Sequence, residues 1–109
     1  MTSGNRKERK QLAADSNCDP VSVAIAGLPR RQFVCVVGKV TRMKARPTSG
    51  QPALVVTVAD ETGTVTAVWT GRREIGGITL GRRIAINGIA IARGTHLEFT
   101  NPRYTLLPR

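Results

Sequence analysis

Aromatic, cysteine, histidine and acidic residues are all scarce in this chain of 109 residues. Aromatic residues make up 4% of the sequence, so the core must be built mainly from Val, Ile, Leu and Ala. The two cysteines, Cys18 and Cys35, and the single histidine are too few, and wrongly spaced, for a zinc site or a disulfide framework. We therefore expect free thiols, no metal and no cofactor.

Long hydrophobic runs are also missing. No segment approaches the roughly 20 apolar residues of a membrane-spanning helix. The longest apolar run near the start, residues 21–28, is short, interrupted by Ser22 and Gly27, and preceded by acidic residues, unlike a signal peptide. We expect a cytoplasmic protein without a membrane partner.

The common catalytic motifs are absent from the sequence. It has no glycine-rich phosphate loop ending in Gly-Lys-Ser/Thr and no His-Glu-x-x-His. Asp60 and Glu61 are adjacent carboxylates, but they lie in a turn sequence where Asp commonly bonds its own backbone, which favours a structural role. We therefore expect a protein that is not an enzyme.

Positive charge is abundant. Seventeen Lys and Arg against seven Asp and Glu give a net charge of +10, and twelve of the basic residues lie in residues 31–109. This balance favours a polyanionic partner. The alternative is a basic surface without a specific partner.

Residues 53–69 read as two strands joined by a tight turn. Leu54, Val56 and Val58 share one parity, and Val65, Ala67 and Trp69 share another after the turn sequence Asp-Glu-Thr-Gly. The opposite faces carry the threonines, at positions 57, 64 and 66. Asp and Gly suit the turn, because Asp bonds its own backbone and Gly accepts a positive φ. The sequence predicts a half-buried hairpin, which forms the second and third strands.

Three further strands are predicted around this hairpin. The first spans residues 32–43, bends at Gly38 and is followed by a basic loop over residues 44–52. A connector anchored by Ile75 and Ile78 leads to the fourth strand, residues 83–93, in which the apolar positions change parity across Gly88 and predict a bulge. The last strand spans residues 96–100.

Two segments precede the strands. We expect residues 1–18 to form a flexible basic and polar tail. Residues 19–30 form a short capping segment, for which Asp19, Pro20 and Gly27 favour a helix of two turns while alternating apolar residues favour a short strand.

Residues 31–108 form the folded domain. The pattern predicts an all-β, five-stranded Greek-key barrel of the OB-fold type, with the segment up to Gly27 plugging the barrel mouth in place of the usual helix between the third and fourth strands.

Four motifs carry a resemblance to a known family. They are Val-Val-Gly-Lys-Val at 36–40, Val-Ala-Asp-Glu-Thr-Gly at 58–63, Gly-Arg-Arg-Ile-Ala-Ile-Asn-Gly at 81–88 and Leu-Glu-Phe-Thr-Asn-Pro-Arg-Tyr at 97–104. Together they resemble the OB-fold nucleic-acid-binding family, which includes anticodon-binding domains of tRNA synthetases and the wedge domain of RecG-type helicases. The chain is also similar to small stand-alone OB-fold proteins of actinobacteria. The resemblance covers residues 31–108.

The resemblance implies a binding groove over the outer faces of the second and third strands, flanked by the loops on either side. Trp69 has two open interpretations, a base-stacking platform or a core residue, and Arg72 and Arg73 have the alternative of a solvated strand end. The candidate nucleic-acid-binding residues are Lys39, Arg42, Lys44, Arg46, Thr57, Thr66, Trp69, Arg72, Arg73, Arg93 and His96.

The function expected from these features is non-enzymatic binding of single-stranded or structured DNA or RNA. Contacts would be mainly to phosphates, with low sequence specificity and an accessory role in DNA repair, replication or RNA metabolism. A protein partner in a repair or replication complex is compatible with that role. The alternative is a protein-interaction adaptor built on the same barrel.

Overall fold

The computed structural model describes residues 22–29, 31–47 and 51–108. These ranges contain one short 3-10 turn, Ile25–Gly27, and six strands. The strands are β1 (Phe33–Pro47), β2 (Pro52–Ala59), β3 (Thr64–Thr70), β4 (Arg83–Arg93), β5 (His96–Thr100) and β6 (Arg103–Leu106). None of the helical segments in these ranges has the length and hydrophobicity needed to cross a membrane.

The strands form one sheet in the order β1-β2-β3-β5-β4-β6, and β1 also pairs with β4. This additional pairing closes the first five strands into a barrel. β3 and β5 run parallel, whereas the other neighbouring strands are antiparallel. The predicted all-β Greek-key barrel is confirmed.

β1 serves both halves of the barrel. Its first half, from Phe33 to Lys39, pairs with β4, and its second half, from Lys39 to Pro47, pairs with β2. Gly38 lies where the strand changes partners, and a Cβ there would stand 2.6 Å from the carbonyl oxygen of Ala59. The missing side chain therefore lets two backbones approach at the position where the sequence predicted a bend.

The C-terminal end of β1 differs from the prediction. The strand continues to Pro47 because Arg46 pairs with Ala53 and Pro47 with Pro52. The predicted basic loop is therefore strand in its first part, so Lys44 and Arg46 occupy fixed positions in the sheet. A register shift between Val40 and Arg42 places a bulge a few residues beyond Gly38.

The predicted hairpin is confirmed as β2 and β3. Thr57 pairs with Thr66, and the backbone N–H of Asp60 donates to the carbonyl of Gly63 at 3.0 Å across the turn. The inward positions of both strands are buried, and they are Leu54, Val56, Val58, Val65, Ala67 and Trp69. Alternation therefore correctly assigned the two faces.

The predicted bulge at Gly88 is wrong. Gly88 pairs in regular register with Val34, Ala90 continues the buried parity, and Ile89 and Ile91 point outward. The glycine serves a different purpose, because a Cβ there would lie 3.2 Å from the Cβ of Pro102. The apolar positions change parity in the sequence because Ile89 and Ile91 are exposed, and the strand itself continues in regular register.

The sequence analysis missed β6. β5 and β6 follow one another along the same edge of β4, separated by Asn101 and Pro102. Asn101 adopts a positive φ of 49°, which asparagine tolerates better than most residues. The five-stranded barrel thus carries a short sixth strand as an extension.

The N-terminal segment covers one end of the barrel. Ser22 bridges to Cys35, the turn at residues 25–27 follows, and Ile25 and Leu28 are buried in the main core. The two-turn helix predicted here is wrong within the described part, which holds a single 3-10 turn. The predicted tail, residues 1–18, lies outside the described residues. Farther along, the predicted anchors Ile75 and Ile78 are buried as expected.

Candidate nucleic-acid interface

The outward side chains of β2 and β3 lie beside those of the second half of β1. Residues paired directly across antiparallel strands point to the same face, so the register groups them into rows. We call this surface the outer hairpin face. Its three rows are Arg42-Thr57-Thr66, Lys44-Val55-Val68 and Arg46-Ala53-Thr70.

Arg42, Lys44 and Arg46 form one border of this face. All three are exposed, and they occupy every second position of β1, a spacing of about 6.6 Å along a strand. None of them forms an ion pair within the part of the chain that the structure describes. Lys39, also exposed, lies farther along the same strand opposite Ala59. The structure therefore brings four predicted cations together along β1.

The floor of the face is small and polar or aliphatic. Thr57 and Thr66 are half-buried and paired with each other, and Val55 is paired with the buried Val68. No aromatic side chain lies in these rows. Because Ala53 and Val68 are buried, the accessible floor offers the hydroxyl groups of Thr57 and Thr66 and the methyl groups of Val55, with no ring for a base to stack on.

Trp69 points into the barrel. Its side chain is 6% exposed, its indole N–H donates to the carbonyl of Pro102 at 3.0 Å, and Tyr104 packs edge-on against the ring. Of the two interpretations left open by the sequence, core residue is confirmed and base-stacking platform is wrong. Alternation with Val65 and Ala67 was the signal that could have decided this.

The opposite border carries mixed charge. Arg93 and His96 are exposed and pair with each other at the end of the β4-β5 hairpin. Glu98, opposite Thr66, lies with Oε2 3.7 Å from Nε of Arg93. This border is therefore less basic than the β1 border, because the Glu98 carboxylate lies between Arg93 and the floor.

Arg72 and Arg73 follow β3 and are both exposed. Arg72 lines an open cleft of about 460 Å³ together with Thr70, Asn101 and Arg103. Arg73 does not line this cleft. Arg103 was missed by the sequence analysis because the strand that carries it, β6, was not predicted.

The cleft has a well-bonded wall. The backbone N–H of Thr70 donates to Oδ1 of Asn101 at 2.9 Å, and Nδ2 of Asn101 donates to Oγ1 of Thr70 at 3.2 Å. The backbone N–H of Asn101 donates to the carbonyl of Val68 at 2.7 Å. These bonds attach the turn between β5 and β6 to the end of β3.

Asp60 has a structural role. Oδ1 accepts hydrogen bonds from the backbone N–H groups of Thr62 and Gly63, and Oδ2 accepts one from Ile25 at 2.9 Å. Burial opposes ionisation of this carboxyl, but the bonds from the Thr62 side chain and these three backbone groups outweigh it and hold its pKa below the usual value for aspartate. The carboxylate therefore fastens the N-terminal segment to the β2-β3 turn.

His96 and the two cysteines are the side chains of the chain whose chemistry best suits a zinc ion. Within the described ranges, no group of three His, Cys, Asp or Glu side chains is placed to hold a metal ion. Cys35 is disulfide-bonded, so the expectation of a free thiol at this position is wrong. Cys18 lies outside the described residues.

The family model described as the OB-fold nucleic acid binding domain matches residues 34–107. Among solved structures, the OB domain of Ta0387 from Thermoplasma acidophilum is similar in fold, with a TM-score of 0.58 and 16% sequence identity. That match covers 78% of this chain and 85% of that chain. No curated protein sequence matches this chain significantly. Because the family model spans more than half of the sequence, the chain belongs to the family of OB-fold nucleic acid binding domains.

Proposed function

We propose that this protein binds single-stranded DNA or RNA across the outer hairpin face, mainly through phosphate contacts, and that it is not an enzyme. The observation that carries the proposal is the line of exposed cations on β1, Arg42, Lys44 and Arg46, beside a floor of threonine and valine. Pairing in the sheet fixes the backbone at these positions, so only the side chains have to be ordered when they contact a polyanion.

Sequence specificity is expected to be low. Phosphate contacts carry no direct base information, and the floor has no aromatic ring and few polar groups to read base edges. Thr57 and Thr66 can donate or accept hydrogen bonds, which suits either a phosphate or a sugar. Glu98 on the far border favours entry of the strand along the β1 side, since its charge repels phosphates.

We propose an accessory role in DNA repair, replication or RNA metabolism, in the cytoplasm, which non-specific binding without catalysis would suit. A partner protein that supplies catalysis is compatible with this role. DNA and RNA are distinguished by contacts to the 2′-hydroxyl, so the polymer preferred is an outcome of the experiment.

The test is fluorescence anisotropy with a labelled single strand of DNA, the matching RNA and a duplex, each over a series of salt concentrations. We expect salt-sensitive binding that is tightest for a single strand. Lys44→Ala with Arg46→Ala should weaken binding to every sequence alike. The slope of log K against log salt should become shallower by about 1.4, since each phosphate contact to a single strand contributes about 0.7.

Arg83→Ala is the matched control for the single variant Arg46→Ala. Arg83 is exposed at the start of β4, opposite Lys39 and outside the three rows of the outer hairpin face, so its loss removes the same charge from beyond those rows. We expect a smaller effect on slope and affinity than for Arg46→Ala. Equal effects of the two variants would show that net charge alone attracts the strand, and an unchanged slope for the double variant would place the site elsewhere.

A further inference from the structure

Three large apolar side chains are exposed side by side outside the outer hairpin face. Phe33 and Ile89 are direct partners across β1 and β4, and Ile91 is the next outward residue on β4. Their exposed fractions are 45%, 48% and 46%. Among the aromatic residues that the structure describes, Phe33 is the most exposed, since Trp69 and Phe99 are buried and Tyr104 is half-buried. We call these three residues the apolar patch.

Arg103 connects the apolar patch to the cleft beside Thr70. Its guanidinium carbon lies 5.8 Å from the centroid of the Phe33 ring, and the same side chain lines the cleft with Arg72. Neither arginine forms an ion pair with a carboxylate within the described ranges. A positively charged cleft therefore leads directly to an exposed ring.

The cleft is continuous with the outer hairpin face. Thr70, which lines the cleft, pairs with Ala53, and Ala53 pairs with Arg46 at the end of the β1 line of cations. The bonds between Thr70 and Asn101 hold the wall of the cleft in place. A strand lying on the face thus meets the cleft where it leaves β3.

We propose that the cleft and the apolar patch form a second contact for the bound strand, with a phosphate between Arg72 and Arg103 and an unpaired base against Phe33 and Ile89. This inference rests on the proposed function. A nucleic-acid strand alternates anionic phosphates with flat apolar bases, and the structure places two arginines next to an aromatic ring and an isoleucine. Bases stack on aromatic rings and on guanidinium groups, and this binding is tolerant of sequence.

The test compares two single strands of about twelve nucleotides, within the range of OB-fold site sizes. One is oligothymidine, and the other has the same backbone with abasic sites. Phe33→Ala should weaken binding of oligothymidine by roughly five- to 150-fold and leave binding of the abasic strand unchanged. Arg103→Ala should weaken binding of both strands and make the salt slope shallower by about 0.7.

Two further variants separate stacking from loss of structure. Phe33→Tyr keeps the ring and should keep the affinity for oligothymidine. Leu80→Ala shortens an exposed apolar side chain outside the apolar patch and should leave both strands bound as in the wild type. Thermal unfolding of each variant shows that the barrel is intact.

The outcomes distinguish this inference from the proposed function. If Lys44→Ala with Arg46→Ala weakens binding while Phe33→Ala and Arg103→Ala do not, the second contact is overturned and the outer hairpin face stands. If the wild type binds neither strand, both proposals fail. If Phe33→Ala instead abolishes self-association in sedimentation and leaves strand affinity unchanged, the apolar patch is an interface between copies of the chain, and the second contact is again overturned.

Discussion

Trp69 and Pro102 are joined by a hydrogen bond of 3.0 Å from the indole N–H to the backbone carbonyl. The bond ties the end of β3 to the turn between β5 and β6, and Tyr104 packs against the same ring with centroids 5.7 Å apart. The single tryptophan therefore connects β3 to the β5-β6 turn and to β6, next to the cleft that contains Arg72 and Arg103.

Replacing Trp69 by Phe should destabilise the fold, and it also changes the wall of the cleft, which Trp69 lines. The variant loses the indole N–H, leaves the Pro102 carbonyl without its partner and opens a gap beside Tyr104, which together cost about 2–4 kcal/mol of the free energy of unfolding. Urea unfolding measures this loss. Leu80→Ala, at an exposed position, should change stability by no more than about 0.5 kcal/mol. If the Trp69→Phe variant is as stable as the wild type, the bond from Trp69 to Pro102 does not stabilise the fold.

Gly38→Ala should destabilise the barrel strongly. The added methyl group would meet the Ala59 carbonyl oxygen at 2.6 Å and Val58 Cγ1 at 2.7 Å, so β1 must move away from β2. Overpacking of this kind costs about 1–3 kcal/mol or more. Gly76→Ala is the matched control, because nothing lies within 4 Å of a Cβ there. Similar unfolding midpoints for the two variants would contradict the close approach at Gly38.

The Asp60 carboxylate should make stability depend on pH. Its pKa is lower in the folded protein than in the unfolded chain, so its contribution is present in full above the unfolded value of about 3.9 and is lost as the pH falls through the folded value. Asp60→Asn should therefore be less stable than the wild type at neutral pH, and the difference should shrink on acidification below about pH 4. Chemical unfolding over a pH series measures this.

The control for Asp60 is Glu61→Gln, which removes the exposed carboxylate next along the chain. Its stability should follow the wild type over the same pH series. A gap between Asp60→Asn and the wild type that stays constant down to strong acid would show that the carboxylate charge does not fasten the N-terminal segment.

Glu98→Gln should strengthen binding of nucleic acid. The change removes a negative charge opposite Thr66 and releases Arg93 from its contact at 3.7 Å. A gain of about two- to fivefold at low salt is expected, fading as salt screens the charges. Glu61→Gln removes the same charge from the β2-β3 turn and should gain less. Weaker binding by Glu98→Gln would mean that the pair with Arg93 positions a contact.

The sequence predicted the hairpin well because its two strands depend on local alternation. Arg42, Lys44 and Thr57 could be placed near one another once the strands were assigned. The fixed positions of Lys44 and Arg46 could not be predicted, because Pro47 and the following glycine and proline indicate a loop, whereas pairing with β2 extends the strand. Tertiary hydrogen bonds override local propensity at this end of β1.

Errors occurred where an apolar residue faces solvent or a polar residue pairs in a strand. Ile89 and Ile91 were assigned inward because apolar side chains usually are, and this produced the false bulge at Gly88. β6 was missed because Arg103 and Thr105 give a short, polar strand whose pairing with β4 is invisible to periodicity. The second of these errors hid Arg103, and the first hid the apolar patch.

The double pairing of β1 also determines when the barrel can close during folding. β2 and β3 are neighbours in sequence, so their hairpin requires only a short loop, whereas Phe33 must find Ile89 more than fifty residues later. Such long-range pairing is slow because closing a large loop costs conformational entropy before many stabilising contacts have formed. During synthesis on a ribosome, the first half of β1 has no β4 strand to pair with until most of the chain has been made. Its apolar residues can be buried by β4 only after that.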